Sequence, residues 1–127
     1  MTNYDLEEDK LIKIQIKLSF IFIFSLITSI LLSYNTMMDL EKRQKIFNKD
    51  DEVNILKINR TITFIVALFF LIINVYDKNI KKKYNLDNKN SSIQILSSLL
   101  TLISSILVLY IAFSGYNSFT SNENPEV

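Results

Sequence analysis

Residues 91–115 read SSIQILSSLLTLISSILVLYIAFSG, a run without a charged side chain that nevertheless carries Ser97, Ser98, Thr101, Ser104 and Ser105. About 20 apolar residues, rising 1.5 Å each, cross about 30 Å of hydrocarbon, so the run is long enough to span a bilayer. The hydroxyls need a separate reason. Wound at about 100° per residue from Gln94, those five residues fall with Val108, Ala112 and Gly115 in one sector of about 120°. Leu96, Leu99, Ile103, Ile106, Leu107, Tyr110 and Phe113 occupy the other side. In lipid no hydrophobic force drives helices together; close backbone approach and interhelical hydrogen bonds hold them. The small, hydroxylated face therefore predicts a helix-packing seam. A hydroxyl-lined pore in an oligomer is the rival reading.

The charges show that two more such runs exist. The chain has 127 residues, the length of a single domain, with 14 basic and 13 acidic side chains. This balance carries no nucleic-acid signature. All charges fall at 5–17, 39–60, 77–89 and 123–126, leaving 18–38, 61–76 and 90–122 uncharged. A soluble helix of such length would show a charged face, and none of these does. Each reads as a transmembrane helix. In 18–34, eleven of seventeen residues are Leu, Ile or Phe. Acidic residues precede that run, it is long for a signal-peptide core, and no small-residue cleavage site follows, so it reads as a retained span. The second run, TITFIVALFFLIINVY at 61–76, is short; it spans fully if Lys57 and Arg60 snorkel, or else lies in the plane of the membrane. Tyr34, Tyr76, Tyr110 and Tyr116 stand near the C-terminal ends of the runs, as in an aromatic belt.

The hydroxyl pattern recurs. Ser25, Ser29 and Ser33 follow at intervals of four in the first run, with Thr28 and Thr36 beside them, and Asn59, Thr63, Ala67 and Asn74 share a stripe in the second. With Ser97, Thr101, Ser104 and Ser105 they make the expected seam of a three-helix bundle. Asn90 or Ser91 is placed to cap the third helix, and Gly115 to end it.

The connections are charged. Asp39 with Arg43 and Glu41 with Lys45 have helical i,i+4 spacing, which predicts that the first helix continues beyond the apolar run. Asp50, Asp51 and Glu52 suit the positive N-terminus of the next helix. Consecutive helical positions diverge by about 100°, which makes them poor metal ligands. Lys78, Lys81, Lys82 and Lys83 form a juxtamembrane basic cluster that either contacts anionic lipid or fixes topology. Basic residues number three before the first run, six in 39–60, five in 77–89 and none after the third run. With three crossings this puts eight against six and places the N-terminus inside.

Several chemistries are excluded from the start. There is no Cys and no His, which removes thiol chemistry and the commonest general base and metal ligand. One Gly and one Pro leave nothing for a phosphate-cradling loop. No catalytic, cofactor-binding or metal constellation is present, and no enzyme activity is expected. Ile, Lys and Asn, 20, 12 and 13 residues, point to A/T-rich codon usage.

The stretch SYNTMMDLEKRQKIFNKDDEVNILKINRTITFIVALFFLIINVYD, with its SYN and INR fragments, resembles small multi-pass membrane proteins of A/T-rich Gram-positive bacteria, a group without an assigned activity. No site residue follows from that resemblance. The expectation is an all-α integral membrane protein of the cell membrane: one membrane domain, spans at about 18–36, 58–76 and 92–114, and a disordered polar tail at 117–127. Its expected partners are the bilayer and either another membrane protein or a second copy, and its expected role is a non-catalytic subunit or regulator of a membrane assembly. The alternative is an oligomeric pore former resembling phage holins, although the tail TSNENPEV lacks the basic residues those commonly carry.

Overall fold

Capped starts and two tight stops divide residues 1–114, the part of the chain that the computed structural model describes, into helices and no strand. Helix α1 runs Asn3–Leu40, α2 Lys49–Lys83 and α3 Lys89–Ser114. Thr2 opens α1 with a reciprocal box: its hydroxyl accepts from the Asp5 N–H at 3.1 Å, and the Asp5 carboxylate accepts from the Thr2 N–H at 3.0 Å. Asn48 caps α2 by accepting from the Asp51 N–H at 2.8 Å, with the acids of 50–52 in the positive first turn. The stops are alike. The Arg43 N–H reaches back to Met38 O, and the Leu86 N–H to Lys81 O, each at 2.8 Å. Lys42 (φ 60°) and Asn85 (φ 58°) adopt the left-handed conformation that these Schellman closures require.

Two local expectations are corrected by these ends. Because α1 stops at Leu40, the anticipated i,i+4 pairs do not form; Arg43 pairs with Glu41 at 2.8 Å and Lys45 with Asp39 at 3.6 Å. Because α3 starts at Lys89, Asn90 and Ser91 lie within its first turn instead of capping it, and Ser91 is 1% exposed. The expectations for Gly115, Tyr116 and the tail at 117–127 lie outside the described residues.

All three helices are long and apolar enough to cross a membrane, with α2 continuous through Lys57 and Arg60. They are not arranged as a closed triangle. Helices α1 and α3 each run antiparallel to α2 and pack along it, and they touch one another only marginally. The buried positions explain how. Most of them recur every seven residues: Leu18, Ser25 and Leu32 on α1; Glu52, Asn59, Val66, Ile73 and Ile80 on α2; Ser91, Ser98, Ser105 and Ala112 on α3, with Asn35, Leu56 and Ala67 outside the repeat. A strict repeat of seven keeps one seam in contact only if the helices wind around each other left-handedly, crossing at about 20°. Small residues hold every seam position of α3, so its backbone lies close to α2.

Most buried apolar side chains gather in two small clusters, with Ala67 and Ile80 outside them. Leu18, Val66 and Ile73 form one, joined by Leu11 and Phe70; Leu32, Leu56 and Ala112 form the other, joined by Phe47 and Ile55. Most large apolar side chains face outward, among them Phe20, Phe24, Ile30, Leu100, Leu107 and Tyr110.

Candidate functional site

Between α1 and α2 the interior is polar. Ser25 Oγ donates to Asn59 Oδ1 at 2.7 Å and lies 2.8 Å from Thr63 Oγ1; Asn59 Nδ2 donates to Ser29 Oγ at 3.0 Å. Ser25 and Asn59 are 5% and 3% exposed, so each needs partners inside the protein. Thr28 and Thr36 instead donate to carbonyls four residues back, at 3.0 and 3.1 Å. Ser33 is exposed and lines a pocket of about 60 Å³ together with Ser29, Thr36, Glu52 and Arg60.

That pocket contains what the sequence did not reveal. Glu52 is 6% exposed and Asn35 wholly buried; Asn35 Nδ2 donates to Glu52 Oε2, while Asn35 Oδ1 accepts from the Phe47 N–H at 2.9 Å. Glu52 therefore does more than complement a helix end: it anchors the 41–48 connection through Asn35. The register along α1 explains this. Glu52 meets Asn35 and Val66 meets Leu18, so residues 52–66 of α2 lie along the uncharged run of α1. Glu52, Lys57 and Arg60 stand beside that run, although the run itself carries no charged group. The repeat of seven through Glu52, Asn59 and Val66 was the signal. Lys57 Nζ sits 5.4 Å from the centre of the Phe113 ring, a cation–π contact with α3.

Between α2 and α3, Asn74 Nδ2 donates to Ser98 Oγ and, at 3.4 Å, to Gln94 O. Ser98, Ser105 and Ala67 are buried. Ser97, Thr101 and Ser104 are exposed, and Thr101 satisfies its hydroxyl on Ser97 O at 3.0 Å. Ser97 and Thr101 line a groove of about 300 Å³, floored by Thr63, Ala67 and Asn74 and walled on the α1 side by Phe22. The structure thus divides the α3 hydroxyls into a row against α2 and a row facing outward.

Of the four clustered lysines, two are engaged within the protein. Lys81 pairs with Asp77 at 3.0 Å and Lys83 with Glu7 at 3.4 Å, whereas Lys78 and Lys82 form no ion pair among the described residues. Tyr84 Oη donates to Glu7 at 2.7 Å, and this bond, followed by Lys83, holds the Glu7 carboxyl below the usual carboxylate range.

Chemically, the side-chain hydrogen bonds of Ser25, Asn59 and Asn74 are made from helix to helix, whereas Ser105 donates to Leu102 O of its own helix at 2.7 Å. No group of three or more acidic, His or Cys side chains able to hold a metal occurs among the described residues. No protein-family model matches the chain, and comparison with curated proteins and with solved structures finds no match.

Proposed function

We propose that the chain is a three-span integral protein of the cell membrane, and that it serves as a non-catalytic subunit or regulator of a membrane assembly. One observation carries the membrane reading, and it is the inverted polarity of the molecule. Ser25, Asn35, Asn59, Ser98 and Ser105 are buried, while Phe20, Phe24, Ile30, Leu100 and Leu107 are exposed. Contiguous apolar faces that run along whole helices mark an interaction or membrane surface and are rare on soluble monomers. In lipid it is the stable arrangement.

The subunit reading rests on where the polar groups are used. They tie helix to helix, and the outward row of Ser97, Thr101 and Ser104 offers small residues for a further helix. The N-terminus of α1, the C-terminus of α2 and the N-terminus of α3 share one end of the molecule, as the Glu7–Lys83 pair and the Ser91–Asp77 contact show. That end carries the eight basic residues against six at the other and is assigned to the cytoplasm. Lys78 and Lys82 are the candidates for anionic-lipid contact there. Purification in mild detergent from the native membrane tests the subunit role: a stoichiometric second membrane protein supports it, and recovery of this chain alone contradicts it. The same outward hydroxyl row favours an oligomeric pore as the second reading. Uptake of an impermeant dye on modest expression would decide for the pore.

A further inference from the structure

Glu52 and Arg60 line one cavity of about 60 Å³ between α1 and α2, with Ser29, Ser33 and Thr36 on its α1 wall. The two charges are not equally matched. Glu52 has Asn35 Nδ2 on Oε2 and Lys49 Nζ 3.9 Å from Oε1. Arg60 is half-buried and makes no ion pair or side-chain hydrogen bond among the described residues. A guanidinium offers five donors in a fixed fork and keeps its charge, so one held beside an apolar run without an anion marks a functional site. Two hydroxyls stand ready beside it. Ser29 Oγ accepts from Asn59 and keeps its own proton to give, and Ser33 Oγ is unbonded among the described residues.

This cavity adjoins the larger groove. Along α2 the two are lined by Leu56 and Arg60, then by Thr63, Ala67, Phe70 and Asn74, steps of three and four that keep one helix face. Because α1 and α3 touch only marginally, the groove of about 300 Å³ stays open between Phe22 on one side and Ser97 and Thr101 on the other. Its polar groups are used within the protein: Thr63 bonds Asn59 O and Thr101 bonds Ser97 O, each at 3.0 Å, and Asn74 donates to Ser98. What it presents is the carbon of Phe22, Val66, Ala67 and Phe70. From Arg60 to Phe70 the helix rises about 15 Å, half of the roughly 30 Å hydrocarbon layer. Polar cavity and apolar groove are therefore spaced as the head and tail of a lipid in one leaflet. Thr36, in the cavity wall, lies one turn inside Asp39, the first charge past the α1 run. Helical side chains lean toward the N-terminus, which carries the Arg60 charge toward that boundary.

We propose that the cleft holds one zwitterionic phospholipid with a primary ammonium. Its phosphodiester lies on Arg60, Ser29 and Ser33, its ammonium beside Glu52, and one acyl chain in the groove. Charge selects this headgroup. A purely anionic one sets a second negative charge beside Glu52, whereas a carboxylate with two partners still has lone pairs for an ammonium. Size selects it as well, since a cavity with room for a few waters is tight for a trimethylammonium. A helix, about 10 Å across, does not enter it. The site is at the opposite end of the molecule from Lys78 and Lys82, and a further helix on the outward α3 row would cover the groove from outside.

Native mass spectrometry of the full chain, released from detergent micelles with phosphatidylethanolamine, phosphatidylglycerol and phosphatidylcholine added in equal amounts, tests the site. One phosphatidylethanolamine per chain should be retained about tenfold over either of the others. Arg60→Gln should abolish that preference. So should Ser33→Leu, which fills the cavity from an exposed position and leaves the fold intact. Lys78→Gln should leave the preference unchanged. Equal retention of the three lipids, phosphatidylglycerol in first place, or an Arg60→Gln protein that behaves as the parent overturns the site. A preference removed by Lys78→Gln would move the lipid to the other end and overturn it equally. Displacement of the lipid by inorganic phosphate would assign Arg60 to a free anion, and release of a co-purifying protein by Arg60→Gln, without any lipid preference, would assign it to a partner's carboxylate; each overturns it. The inference rests on the membrane reading, and the two fail differently: a chain soluble without detergent refutes both, while lipid retained without headgroup preference refutes the site alone.

Discussion

Replacing Asn59 by Ala removes the centre of the α1–α2 network without touching the outer surface. Asn59 is 3% exposed, accepts from Ser25 at 2.7 Å and donates to Ser29 at 3.0 Å. Interhelical hydrogen bonds in membrane proteins contribute about 0.6 kcal/mol on average and up to about 1.7, because separated helices in lipid find other partners. Two such bonds set the expected loss at about 1 kcal/mol, with a ceiling near about 3. Ser25 keeps Thr63 at 2.8 Å, which moves the result toward the lower figure. Easier insertion of Ala works the other way but acts on the separated helices as well as the bundle. The assay is SDS-titrated unfolding of purified protein, followed by the proximity of probes at the ends of α1 and α2. A double-mutant cycle with Ser25→Ala isolates the pair and should return about 0.6–1.7 kcal/mol of coupling. Ile58→Ala, at a position 60% exposed, should stay within about 0.5 kcal/mol of the parent. A coupling of zero, with Asn59→Ala as stable as the parent, would show that the network does not hold α1 to α2.

Bulk at the buried α3 positions should act differently from bulk beside them. Ser98→Leu and Ser105→Leu, at 9% and 7% exposure, should each cost about 1–3 kcal/mol in thermal unfolding in detergent, while Ser97→Leu and Ser104→Leu leave the isolated chain near the parent. Asn35→Leu takes the amide partner from the buried Glu52 carboxylate, which keeps Lys49 at 3.9 Å, and should cost about 1–3 kcal/mol by the same measurement; Asn35→Leu with Glu52→Leu should recover most of it. Lys42→Gly relieves a left-handed lysine and should gain up to about 1 kcal/mol, read as a higher Tm.

The number of long apolar helices was legible because uncharged runs of such length leave few alternatives to a buried or lipid-facing helix. The seams were harder to read. Winding α3 at 100° per residue puts Ser97, Ser98, Thr101, Ser104 and Ser105 in one sector, yet only Ser98 and Ser105 are buried. The difference is one of period. Burial selects every seventh residue, Ser91, Ser98, Ser105 and Ala112, and leaves the intermediate hydroxyls exposed. Register was illegible for another reason, since an uncharged run carries no sign of which stretch of its neighbour lies against it. The pairing of Asn59 with Ser25 and Ser29 shows that Arg60 stands beside the middle of the α1 run. Likewise, Asp50, Asp51 and Glu52 look equivalent in sequence. Glu52 alone shares the face of Asn59 and Val66, one and two repeats of seven further on, and that face is buried.

The inverted polarity of the molecule is most directly tested by single-cysteine labelling in native membranes, and the chain has no cysteine to remove first. Phe24→Cys, Phe69→Cys and Leu107→Cys occupy outward, mid-helix positions that are 73%, 46% and 60% exposed in the protein itself. If lipid covers those faces, none of the three reacts with a charged, membrane-impermeant maleimide until the membrane is dissolved and the chain unfolded. Asn3→Cys and Leu86→Cys should then react from one side of the membrane and Gln44→Cys from the other. Rapid labelling at positions 24, 69 and 107 in intact membranes, or labelling of 3, 44 and 86 from a single side, would contradict a three-span protein with its polar groups turned inward.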